Sequence, residues 1–213
     1  MIFEWILIGL AVLAAMTYGL LFARRATSAW GGAAKAAAVG ALLALAVARG
    51  GPPLLTAALA LSVLGEVLFV ALPAIWLRAG LAAFLLAHIS YMGLFLRGGG
   101  GRFALMAEPV RNLTVAAVFA VWVTLTVWLW SGSPRWRPAV VLYGAALAMM
   151  TASALTLSRY FWPAIAGALC LAVSNGLWAA WRIKQARSPV LTEQTVWWLY
   201  FAGQGMIAYA CLR

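Results

Sequence analysis

The sequence predicts an all-α polytopic membrane protein, a bundle of eight transmembrane helices, and three observations carry that prediction. Of its 213 residues, 66% are hydrophobic and only 9% charged, where a soluble domain is nearer half apolar and a quarter charged. Mean hydropathy is +0.99. The apolar residues are gathered into runs of about 20, the length that crosses a hydrocarbon core, and the breaks between runs are short and rich in Arg, Gly and Pro.

The runs lie near residues 3–23, 34–49, 54–72, 77–96, 112–130, 138–157, 163–182 and 194–211. The first, "WILIGLAVLAAMTYGLLFA", is too long for a signal-peptide core and ends at Arg24 and Arg25 rather than at a small-residue cleavage site, so it reads as a retained span. "ARRATSAWGG" leads to the short, alanine-rich second run, and "RGGPP" turns the chain into the third. "LPAIWLR" precedes the fourth and "RGGGGRFALMAEPVRN" the fifth. The glycines at 98–101 lack the Gly-Lys-Ser/Thr ending of a phosphate loop and read as a connector. "SGSPRWRP", "SRYFWP" and "RIKQARSPVLTEQ" set off the last three runs. No gap has room for a soluble domain and no solenoid-length repeat is visible, so residues 1–213 read as a single transmembrane domain.

Fifteen Lys and Arg against four acids give a formal net charge of +11. The bases are spread between the runs instead of forming one face with stacking aromatics, which excludes a nucleic-acid reader and points to membrane lipids as partners. Loops one, three, five and seven carry Arg24, Arg25, Lys35, Arg78, Arg135, Arg137, Arg182, Lys184 and Arg187. The opposite side carries Arg49, Arg97, Arg102, Arg111, Arg159 and Arg213. By the positive-inside rule this balance favours both termini outside. Cys170 and Cys211 sit in apolar runs without metal-ligand spacing and read as packing residues.

Ionisable groups inside a membrane are costly and by default mark function. "LSVLGEVLFVAL" places Glu66 inside the third run, the lone histidine His88 is central in the fourth, and "GALCLAVSNGLWAAW" sets Ser174 and Asn175 in the seventh, all expected at similar depth. Helical spacing adds Ser62 to the face of Glu66 and Tyr91 to that of His88, and pairs Tyr200 with Gln204. These faces are candidates to converge on one polar pocket. The structural alternatives are an acid at Glu66 bonded to a neighbouring helix and interhelical hydrogen bonds for His88, Ser174 and Asn175. Packing or interface anchoring accounts for Tyr91, Tyr143, Tyr200 and most tryptophans.

At these residues the sequence resembles the YhhN-like lysoplasmalogenases, integral membrane hydrolases of about eight helices. "SVLGEVLFVAL" is similar to the family's Ser-x-x-Gly-Asp followed by apolar residues, and "AGLAAFLLAHISYMGLF" to its Gly-x-x-x-Phe-x-x-x-His-x-x-Tyr helix. "VLYGAALAMMTASAL", with Tyr143, resembles its Tyr and Met helix, and "GALCLAVSNGLWAAWR" its Gly-Ala-x-x-Phe-x-x-Ser-Asp-x-x-x-Ala segment. Lys35 stands where the family tends to have Lys-Pro, and "YFAGQGMIA" resembles its closing Tyr-x-x-Ala-Gln.

The resemblance implies a hydrolase that splits the vinyl-ether bond of a lysoplasmalogen into a fatty aldehyde and a glycerophospho-base. It implies a multi-pass protein of a bacterial inner membrane, with a lysophospholipid substrate and no metal or other cofactor. Vinyl ethers hydrolyse by proton transfer to carbon and attack of water on the resulting cation, which needs a positioned acid and a base. A carboxylic acid held out of water favours its neutral form and suits the first task. On this reading Glu66, Asn175, His88 and Tyr91 are the catalytic residues, with Lys35, Ser62, Tyr143, Ser174, Arg182, Tyr200 and Gln204 binding substrate. Lys35 and Arg182, near helix ends, are candidates for the substrate phosphate, as they are for snorkelling to headgroups.

Two positions depart from the family. Glu66 is one methylene longer than its aspartate, and Asn175 replaces the aspartate that would complete a carboxylate pair with an amide that cannot ionise. Three readings of Asn175 follow: Glu66 and His88 carry the proton chemistry alone, the chain is a non-hydrolysing lysolipid binder, or the residue is a change that traps substrate. A proton-coupled transporter using Glu66 and His88 as a relay is a further class, though neither inverted repeats nor paired broken helices support it.

Overall fold

Each apolar run becomes a helix whose ends follow from backbone chemistry. α1 covers Ile2–Thr17 and continues as a π-turn at Tyr18–Phe22. It is followed by α2 (Ala29–Ala48), α3 (Pro53–Val70), α4 (Ala74–Gly98), α5 (Pro109–Trp130), α6 (Arg137–Ala154), α7 (Trp162–Lys184) and α8 (Pro189–Leu212). The computed structural model describes residues 2–23, 28–70, 74–100, 108–132, 134–184 and 189–213. Among the described residues there are eight helices and no strand. Arg24, Arg25, Arg102 and Arg187 of the charge balance, Gly101 of the glycine connector and the break at 71–73 lie outside them.

Among the described residues, five helices are long and apolar enough to cross a membrane: α1 with its π-turn, α2, α4, α5 and α7 with the turn before it. α3 is apolar but shorter. The second run, short in the sequence, gains a full turn because Ser28 starts the helix early, its hydroxyl accepting the Gly31 amide at 3.1 Å. Proline marks other starts, as first residue of α3, α5 and α8 and second of α6 and α7, where its missing amide costs nothing.

The turn from α2 to α3 is a Schellman ending. Gly50 adopts φ of +61°, the Gly51 amide donates to Ala46 O at 2.8 Å, and the Gly50 amide donates to Val47 O at 3.0 Å. Arg49 bonds the ends of three helices together. Its guanidinium lies 2.7 Å from the Glu4 carboxylate and donates to Leu212 O at 3.3 Å.

The helices divide into two compact units, Met1–Tyr91 with Cys211–Arg213, and Met92–Ala210. In the first, Leu7, Ala11 and Ala15 on one face of α1 are buried, as are Ala38, Val39, Leu42, Leu45 and Ala46 on α2; α1 packs on α2 and α2 on α3. The outward side of α1 carries Ile2, Phe3, Trp5, Ile6 and Leu13, as expected where lipid rather than water is the surround. α3 and α4 run antiparallel through reciprocal contacts, Gly65 against the Phe84 ring and Gly80 against that of Phe69.

In the second unit α5 packs on α6 and α7, and α6 on α7. α7 meets α8 at bare backbone. A Cβ on Gly167 would lie 2.7 Å from Gly203 O, and one on Gly203 2.8 Å from Gly167 O. The small-residue contact allows dispersion and polar contacts between the helices where no hydrophobic effect drives association. Gly167→Ala is therefore expected to lower unfolding stability in detergent by about 1–3 kcal/mol through overpacking. Gly9→Ala, whose Cβ meets nothing within 4 Å, should keep or slightly raise stability in the same thermal measurement, since Ala is the better helix former.

Candidate active site

The first unit buries four of the expected polar side chains, Ser62, Glu66, His88 and Tyr91, each no more than 5% exposed. Glu66 lies on α3, four residues before Val70. Its carboxylate is 3.8 Å from the Lys35 ammonium, whose side chain is 24% exposed. Lys35 also stands 4.5 Å from the centroid of the buried Tyr18 ring, a cation–π contact. Tyr18 is presented by the π-turn that closes α1, where the Ala23 amide donates to Tyr18 O at 2.9 Å.

The hairpin geometry explains the pair. Lys35 lies thirteen residues before the end of α2 at Ala48, and Glu66 thirteen residues after the start of α3 at Pro53. Two antiparallel helices joined by a tight turn therefore bring them to one level. Neither the pair nor Tyr18 was expected from the sequence. Equal distance from the turn was the available signal for the pair; for Tyr18 there was none, because a π-turn has no composition of its own.

Ser62 lies one turn before Glu66 on α3, and Tyr91 one turn beyond His88 on α4. His88 Nδ1 bonds the Phe84 carbonyl one turn back. Since a carbonyl only accepts, Nδ1 carries the hydrogen, and Nε2 is the acceptor of the neutral ring.

In the second unit Ser174 donates to Val196 O of α8 at 2.7 Å, the interhelical bond that was its structural alternative. Asn175 Nδ2 donates to Leu171 O of its own helix at 2.8 Å. Tyr200 and Gln204 are buried one turn apart, and Trp197 lies against Tyr200 and Phe201 at ring separations of 5.8 and 5.9 Å. Tyr143 is half-buried on α6, and Arg182 is exposed in the last turn of α7. Among the described residues, no three His, Cys, Asp or Glu side chains are grouped so as to hold a metal ion. Cys170 and Cys211 are free thiols.

Among the described residues, long apolar helices with a carboxylate, an imidazole and hydroxyls buried among them mark an all-helical membrane protein. The chain belongs to the YhhN family, whose model matches residues 30–211. It is similar to lysoplasmalogenases of Mycobacterium bovis and Mycobacterium tuberculosis, each 35% identical over 135 residues, or 60% of this chain and 48% of theirs. The chain thus matches about half the length of these curated relatives. No solved structure matches it.

If the approach of Lys35 to Glu66 is an energetic interaction, a double-mutant cycle of Lys35→Met and Glu66→Gln will show coupling of about 1 kcal/mol in unfolding stability. Strictly additive losses would reduce the pair to coincidence.

Proposed function

We propose that the chain is a membrane hydrolase that cleaves the vinyl-ether bond of lysoplasmalogens, releasing a fatty aldehyde and a glycerophospho-base such as glycerophosphoethanolamine. The observation that carries this reading is the buried Glu66 carboxyl with a cation 3.8 Å away. The similarity to two lysoplasmalogenases supports it. We place the chain as one domain over residues 1–213, multi-pass, in a bacterial inner membrane, with all eight helices spanning.

Glu66 in its acid form gives its proton to the vinyl carbon distal to oxygen, leaving an oxocarbenium ion. Water adds to that ion, returns a proton to the carboxylate, and the hemiacetal breaks into aldehyde and alcohol. The Lys35 ammonium faces the negative charge that Glu66 acquires as the proton leaves, which is the moment at which a preorganised charge lowers a barrier. Its engagement with Glu66 and Tyr18 makes this role a better fit for Lys35 than phosphate binding. Ser62, one turn away, can hold the water. His88, whose Nε2 accepts when the ring is neutral, and Tyr91 one turn beyond it can orient water or stabilise charge.

The remaining expected residues, Asn175, Tyr143, Ser174, Arg182, Tyr200 and Gln204, keep their proposed roles in orienting substrate. Asn175 favours the second reading, a lysolipid-binding relative without turnover, because its amide cannot serve as a base.

The deciding assay is aldehyde release from lysoplasmenyl-ethanolamine by the purified chain. Glu66→Gln is expected to lower it by roughly 10²- to 10⁴-fold; full activity in that variant would sink the mechanism. Asn175→Asp, which restores the family's carboxylate, is expected to raise it. Saturable lysolipid binding without aldehyde from either form would establish the binding reading instead.

A further inference from the structure

The two ends of the second unit treat their cations differently. At one end the Glu108 carboxylate lies 3.3 Å from Arg111 and 3.9 Å from Arg159, so acid and base offset each other. At the other end, where α5 and α7 finish and α6 begins, the cations rest on neutral groups. Lys184 donates to the Ser131 hydroxyl and sits 5.2 Å from the centroid of the Trp128 ring. Arg137 sits 5.2 Å from the Trp130 ring and donates to Trp130 O at 3.3 Å. Arg135 lies 6.0 Å from the Trp136 ring, and Arg182 is exposed nearby in the last turn of α7.

Ring faces and carbonyls hold a cation without cancelling its charge. Among the described residues none of these four has a carboxylate partner. The acid in the first two turns of α8 is Glu193, so the described residues of these helix ends carry four cations and one carboxylate.

An apolar groove runs from the same place. Ala120, Val121, Thr124, Leu125 and Trp128 line an open channel of about 450 Å³ along α5. α5 buries only Leu129 among its described side chains, so the groove faces outward. Trp128 belongs to both features, flooring the groove and carrying Lys184 above its ring. From Ala120 to Trp128 the groove follows the helix for roughly 12 Å.

We propose that this end of the second unit is a binding site for an anionic diacyl phospholipid. The headgroup phosphate lies between Lys184 and Arg137, with Arg135 and Arg182 at its rim, and one acyl chain lies in the α5 groove. Charge complementarity selects the ligand. A zwitterionic headgroup brings its own cation to a site already in excess of positive charge, whereas an anionic one neutralises it. A free phosphate would use the cations and leave the groove empty. The site draws on residues of the second unit alone, and its cations Lys184, Arg137 and Arg135 have no part in the proposed hydrolysis.

The test uses the full chain in phosphatidylcholine nanodiscs containing a photoactivatable-acyl phosphatidylglycerol or, in parallel, the same probe on phosphatidylcholine. Peptide mapping reads where each attaches. The phosphatidylglycerol probe is expected to label the Ala120–Trp128 segment at least roughly tenfold more, with a loss of about fivefold in Lys184→Gln and parity in Lys184→Gln with Arg137→Gln. Lys184→Arg should keep the preference, and Ala120→Phe, which fills the groove, should lose the segment's label. Arg159→Gln, at the opposite end, should change nothing, and added inorganic phosphate should not compete. Equal labelling of the unaltered chain by both probes would overturn the proposal. So would a preference that survives the double substitution, an equal loss in Arg159→Gln, or displacement by inorganic phosphate.

Discussion

A carboxylate surrounded by apolar helices has no water to turn to, and the first unit is arranged around that fact. Glu66 meets the constraint with Lys35, which in turn leans on the face of Tyr18. Three helices are thereby tied to one polar group: α1 through its π-turn, α2 through Lys35 and α3 through Glu66. Hydroxyls solve the same problem more locally. Thr17, Ser90, Thr114 and Thr151 each donate to the carbonyl one turn back in their own helix, so they need no partner across the bundle. Against that background Ser174, which reaches across to α8, is a bond of fold and not merely of self-sufficiency.

The helices were legible because a hydrocarbon surround imposes length and apolarity on any chain that crosses it, and Pro, Gly and Ser mark where a helix can begin or stop. The starts at Pro53, Pro109 and Pro189 and the stop at Gly50 follow that logic directly. How helices meet was read less well. Gly65 and Gly80, whose missing side chains admit the Phe84 and Phe69 rings, decide how α3 and α4 pack, and nothing in either helix's own pattern announces the pairing. Spacing along one helix reports a face; the partner of that face belongs to pairs of helices.

The second unit shows how the same basic residue takes on different meaning from its neighbour. Arg111 donates to Leu157 O at 3.0 Å while paired with Glu108, closing the end of α6 and carrying little field beyond it. Arg137 also bonds a helix-terminal carbonyl, yet its second contact is an indole. A net charge of +11 is therefore not spread evenly over the surface that meets headgroups. Counting bases in loops treats all of them alike and misses this asymmetry.

The π-turn at Tyr18–Phe22 holds one residue more per loop than an α-helix would. The surplus residue is taken up within that turn, so the α-helical ladder before it, with Leu7, Ala11 and Ala15 against α2, keeps its own phase. Tyr18 opens the turn, and its ring lies beneath the Lys35 ammonium. Local widening of the backbone is thus placed where the chain holds a cation, and the packing seam is left regular.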